Sequence, residues 1–194
     1  MSSQIAILGI TGSLRAESFN TKLLRAAIEI APPGVTIHLY EGLAELPVFD
    51  EDLGVTDPPP PVVDLRRRIT DADALLIASP EYNYSIPGGL KNAIDWASLP
   101  AGVHCLRHKP VAIMGASIGN FGTARAQLAL RQVFLCTESI PTTRPEVHVF
   151  RAHERFDGDG NLVDRDTRAL VEGLIGALCK SVESETNSRH DKPF

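Results

Sequence analysis

The sequence predicts a doubly wound α/β domain: a three-layer sandwich with a five-stranded parallel sheet and helices on both faces. Three observations carry that reading. Short apolar runs alternate with helix-spaced patterns along the whole chain. The runs at 74–79 and 110–115 are almost continuously apolar, as strands covered on both faces must be. Three of the runs end in dense polar loops rich in Gly, Ser, Pro and Asn, and sheets of this kind bind ligands beyond the carboxyl ends of their strands. At 194 residues a single domain over 1–194 is expected.

The first strand is read over residues 4–9, and the first helix places Leu23, Leu24, Ala27, Ile28 and Ala31 on one face before Pro32-Pro33-Gly34 ends it. A second strand over 35–40 alternates Val35, Ile37 and Leu39 with polar neighbours, which suits a position near the sheet edge. The connection over 41–61 ends in Pro58-Pro59-Pro60-Pro61, expected to form a stiff extended surface segment. A helix over 62–72 follows, its Arg66-Arg67-Arg68 read as a solvated face. After the strand at 74–79, Leu90, Ala93, Ile94 and Ala97 mark the inward stripe of a third helix. The strand at 110–115, a helix over 124–137, a fifth strand over 146–150 and a helix over 165–182 complete the pattern, with 183–194 as a frayed polar tail. Asp157-Gly158-Asp159-Gly160-Asn161 looks like a calcium loop, but the twelfth position is Arg168 where a glutamate is needed, so it reads as a turn.

Composition narrows the function classes. A net charge of −5 argues against a nucleic-acid or anionic-membrane surface. No apolar run approaches the roughly 20 residues of a membrane span, and residues 1–4 do not begin a signal peptide. Cys105, Cys136 and Cys179 lack metal-ligand or Cys-x-x-Cys spacing, which points to a reduced, cytoplasmic setting. No Ser-His-Asp or metal constellation is present, so neither a catalytic acid or base nor a metal is nominated.

The chemistry collects in the three loops. Residues 9–20 form a small, hydroxylated, cationic stretch entering a helix, where free N–H groups and the helix dipole favour an anion. Residues 80–89 are rich in proline, aromatics and amides, suited to holding a flat heterocycle. Residues 116–123 bring Ser117 and small residues close by. With strand order 2-1-3-4-5 the first two loops are neighbours, so one ligand would carry a phosphate at one end and a planar ring at the other. FMN is the candidate.

Gly12-Ser13-Leu14-Arg15-x-x-Ser18-Phe19-Asn20, together with Ser79-Pro80-Glu81-Tyr82-Asn83-Tyr84-Ser85-Ile86-Pro87-Gly88-x-Leu90-Lys91-Asn92-Ala93-Ile94-Asp95-Trp96, resembles the NADPH-dependent FMN reductase family, especially its quinone-, chromate- and azo-reducing branch. The resemblance spans about residues 5–150 and implies a flavodoxin-like fold with non-covalent FMN. It also implies NADPH or NADH as co-substrate and a ping-pong reduction of quinones or similar small-molecule electron acceptors. By the same resemblance Ser13, Leu14, Arg15, Ser18, Phe19 and Asn20 hold the phosphate, while Pro80, Glu81, Tyr82, Asn83, Tyr84, Ser85 and Ser117 line the ring. The helix over 90–96 is expected at a homodimer or homotetramer interface, its apolar stripe mostly core and Trp96 either core or interfacial. Two positions depart from the pattern: Thr123 stands where relatives often carry a second glycine, and Glu17 puts a negative charge in the phosphate loop. The alternatives are a flavodoxin-type electron carrier and a nucleotide-binding regulatory domain; the first would hold FMN that nicotinamides do not reduce, the second would not take up FMN.

Overall fold

The computed structural model describes residues 4–190. In chain order they form β1 (Ile5–Thr11), α1 (Phe19–Ile30), β2 (Val35–Tyr40), α2 (Glu51–Thr56), α3 (Pro60–Asp71), β3 (Ala74–Ala78) and α4 (Gly88–Ala97), then β4 (Pro110–Ala116), α5 (Ala124–Cys136), β5 (Ile140–Pro141), β6 (Val147–Val149) and α6 (Arg165–His190). All sheet pairings are parallel, in the order β2-β1-β3-β4-β5, with β6 also paired to β4. This is the expected flavodoxin-like order.

The pleat sorts successive strand residues into two cores. Ile5, Ile7, Leu76, Ala112 and Met114 face α1 and α6, meeting Leu23, Leu24, Leu174, Ile175 and Leu178. Leu8, Ile10, Leu75, Ile77 and Ile113 face the other layer, meeting Leu65 and Ile69 of α3, Leu90 and Ile94 of α4, and Phe134 of α5. β3 and β4 are buried along their whole length, which is why their sequence shows no alternation.

Several boundaries differ from the sequence reading, each for a local reason. β1 continues through Thr11, so the first loop starts at Gly12. Pro60 and Pro61 open α3 and do not extend the surface segment, because prolines cost nothing where first-turn N–H groups have no helical partner anyway. Arg66 is not solvated: its Nε donates to the Trp96 carbonyl and its Nη1 to the Gly54 carbonyl, both at 2.9 Å, which fastens the unforeseen helix α2 to α4. Trp96 is fully buried within its own chain, its indole N–H donating to the Pro47 carbonyl at 2.8 Å, so of its two readings the core one holds. The expected fifth strand appears as β6, and a short additional strand, β5, pairs with β4 ahead of it. Pro141 ends β5 and Pro145 precedes β6, both lacking the ladder donor. α6 runs on to His190, eight residues past Val182; residues 191–194 of the expected tail lie outside the described residues. The Asp157 carboxylate closes a turn by accepting from the N–H groups of Asp159 and Asn161 and from the Asn161 amide.

Candidate active site

Parallel pairing brings the carboxyl ends of β1, β3 and β4 side by side, and the three polar loops follow them. The first loop is short because Gly12 lies against the others: its N–H donates to the Ala78 carbonyl at 2.8 Å, and a Cβ there would sit 3.1 Å from both Leu90 and Pro80. That contact is where Pro80 serves, buried beneath the loop. Ser13 is almost buried, and its hydroxyl lies 3.4 Å from the Tyr82 hydroxyl, so the first and second loops touch directly. Leu14 and Arg15 are exposed at the loop's rim, beside a cleft of ≈ 220 Å³ shared with Thr21, Arg25 and Tyr40. Burial pushes the Tyr40 phenol up to about 12.

Ser18 is the N-cap of α1; its hydroxyl accepts from the N–H groups of Asn20 and Thr21. Phe19 turns inward against Phe156, ring centroids 5.5 Å apart. The family resemblance puts Asn20 at the phosphate, but its side chain is engaged by the end of β4. The amide donates to the Ala116 carbonyl at 3.0 Å and its oxygen accepts from the Ala116 N–H at 2.9 Å. Asn20 therefore ties the start of α1 to the end of β4 and shapes the loop from beneath.

The second loop is a two-residue hairpin. Tyr82 and Ser85 exchange backbone hydrogen bonds at 3.1 and 3.0 Å, and Asn83 and Tyr84 at its tip have φ of +50° and +64°. Paired positive φ values define the tight primed turn, easy for Asn and strained for Tyr. The hairpin leaves Tyr84 71% exposed, its ring held 3.9 Å from the Arg125 guanidinium carbon. Phe121 lies 4.6 Å from the same carbon. Ser117 does not cap α5; its hydroxyl accepts from the Gly119 N–H inside the third loop. Glu81, Asn83, Tyr84, Ser117, Thr123 and Arg125 line a cleft of ≈ 290 Å³ between the second and third loops.

Arg125 and Phe121 were not singled out from sequence. The available signal is Glu81: a nearly buried carboxylate needs a partner, and it finds one 44 residues on. Its two oxygens accept from Arg125 Nε at 2.6 Å, the Arg125 N–H at 2.9 Å and the Ala126 N–H at 3.3 Å. Glu81 thus caps the N-terminus of α5 and clamps the second loop to the third.

The matches to known proteins agree with this arrangement. The model of the NADPH-dependent FMN reductase family matches residues 5–154. The chain belongs to that family. It is 47% identical to an NAD(P)H-dependent FMN reductase of Pseudomonas aeruginosa over 92% of this chain and 95% of that one. It is 41% identical to an NADPH:quinone oxidoreductase of Arabidopsis thaliana, covering 90% of each. Among solved structures, the flavoenzyme NAD(P)H:(acceptor) oxidoreductase of Paracoccus denitrificans superposes with a TM-score of 0.85 at 34% identity, over 93% of this chain and 98% of that one. The protein is an FMN-dependent NAD(P)H oxidoreductase of flavodoxin-like fold.

The residues present fit FMN. Two carboxylates stand in or beside the loops, Glu17 at the first and Glu81 at the second, and each is paired within the protein. Glu17 pairs with Lys22 at 2.8 Å, which holds its carboxyl below the usual carboxylate range, and Glu81 is bound to α5. The exposed guanidinium of Arg15 and the start of α1 remain at the first loop, and the second cleft offers an aromatic rim with small residues behind it.

Proposed function

We propose that the protein carries electrons from NADPH or NADH to quinones and similar small acceptors, among them azo compounds, chromate and free flavins, by a ping-pong mechanism. FMN, when bound, would supply the redox chemistry, as a hydride acceptor toward the nicotinamide and an electron donor toward the acceptor. Ser13, Leu14, Arg15, Ser18 and the first turn of α1 hold the phosphate by charge and hydrogen bonding. Tyr82, Asn83, Tyr84, Ser85 and Ser117 frame the ring. The observation that carries this reading is the 3.4 Å approach of the Ser13 and Tyr82 hydroxyls, which brings the first loop against the second and supports one ligand reaching across both.

One open cleft of ≈ 290 Å³ between Tyr84 and the third loop supports the alternation of donor and acceptor, because two planar molecules would compete for the same face. The names of the relatives support quinones as the first acceptors to try. We further propose a homodimer or homotetramer with α4 at the interface, contributing its outer face since Trp96 is buried. Cytoplasmic residence is supported by three free cysteines among the described residues. Steady-state kinetics with varied NADPH and benzoquinone test the mechanism: parallel double-reciprocal lines are expected, and intersecting lines overturn ping-pong. FMN that binds but is not reduced by either nicotinamide would identify an electron carrier.

A further inference from the structure

Six non-glycine residues among those described have positive φ, and Thr123, at +69°, is the β-branched one. Such residues rarely adopt this conformation, so the surroundings must hold it. Thr123 is only 1% exposed, with its side chain packed beneath the third loop. A Cβ on Gly115 would lie 2.0 Å from Thr123 Oγ1 and 2.5 Å from the Ser79 carbonyl oxygen, so β4 carries a glycine where the threonine sits. The preceding Gly122 has φ +53°, and a Cβ there would meet the His148 carbonyl carbon at 2.7 Å. Backbone and side chain are thus pressed down between the ends of β3, β4 and β6.

The group that grips Thr123 is Gln127, one helical turn on and equally buried. Its Nε2 donates to Thr123 Oγ1 at 3.1 Å and to the Val147 carbonyl at 2.9 Å, linking the loop to β6. Gln127 does not line the cleft; Thr123 does. We propose that Gln127 is a positioning residue for the ring end of the site: its side chain pins Thr123 in the left-handed conformation and thereby sets the wall of the cleft that receives the FMN ring. This rests on reading that cleft as the FMN site.

Glycine adopts positive φ without strain, so Thr123→Gly removes the need for the pin, and the two positions must be coupled. FMN affinity, read by flavin fluorescence, and the absorption shift of the flavin on binding are measured for wild type, Gln127→Met, Thr123→Gly and the double variant. With Thr123 in place, Gln127→Met is expected to raise the FMN Kd about tenfold and to alter the bound-flavin spectrum; in the Thr123→Gly background the change is about twofold or less. Thr123→Val keeps the volume, loses the acceptor, and should match Gln127→Met; it carries the test if Gln127→Met does not fold. A general loss of stability would lower apoprotein Tm without this background dependence. Equal losses in both backgrounds, with wild type binding FMN, overturn the positioning role alone. Wild-type protein that takes up no FMN overturns the site reading and the positioning role with it.

Discussion

Replacing Glu81 by alanine removes the clamp between the second and third loops. The change leaves the N–H groups of Arg125 and Ala126 without an acceptor at the start of α5 and breaks the 2.6 Å ion pair to Arg125. Loss of a helix cap costs about 1 kcal/mol, and a carboxylate at a partly buried helix N-terminus adds ~0.3–2 kcal/mol through the dipole. The Arg125 side chain is 39% exposed, so solvent screening limits the ion pair to at most ~1 kcal/mol. The expected total is about 2–3 kcal/mol, which for a chain of this size lowers Tm by roughly 4–12 °C. Thermal unfolding of the apoprotein by circular dichroism measures it. Glu81→Gln, whose amide oxygen can still accept from the helix, should lose about half as much. A Tm within about 1 °C of wild type for Glu81→Ala would refute the clamp, since even a lone cap is worth more than that.

Arg15→Ala should weaken FMN binding by roughly 1.5–3 kcal/mol, the range for a hydrogen bond to a charged group; an unchanged Kd by fluorescence titration removes Arg15 from the phosphate site. Asn20→Ala strands the Ala116 N–H and carbonyl in a buried position and should cost about 2–4 kcal/mol in urea unfolding. A loss below about 1 kcal/mol would show that β4 closes without it. The Tyr40 phenol titrates near 12 when folded and near 10 otherwise, so the stability it contributes is complete below pH 10 and is lost as pH rises through 12. Tyr40→Phe should flatten the fall in stability across that window, and identical alkaline profiles for the two proteins would contradict the assignment.

Local pattern made much of this legible in sequence. The unbroken apolar runs of β3 and β4 report burial on both faces, and the Gly-Ser-Leu-Arg turn into α1 marks a strand-to-helix loop from neighbouring residues alone. What stayed hidden depends on partners far apart in the chain. Asn20 looks like a loop donor until Ala116, 96 residues away, is seen to occupy both ends of its amide. Glu81 lines the second cleft, but only the fold shows that Arg125 and the start of α5 occupy its carboxylate. Arg66 sits in a basic run that suggests solvent, and only the packing of α2 on α4 turns it inward. Thr123 was visible as a departure at a glycine position, but the hydrogen bond that lets a threonine stand there follows from α5 starting at the next residue. The motifs marked the three loops; tertiary pairing decided which side chains face the clefts between them.

The central claim is one continuous FMN site whose flavin is reduced by a nicotinamide. Apoprotein titrated with FMN under anaerobic conditions, then mixed with NADPH or NADH in a stopped-flow instrument, tests it directly. The expected result is one FMN bound per chain, rapid bleaching of the yellow flavin absorbance by at least one nicotinamide, and its return on adding benzoquinone. Protein that binds no FMN, or bound flavin that neither nicotinamide bleaches, would contradict it.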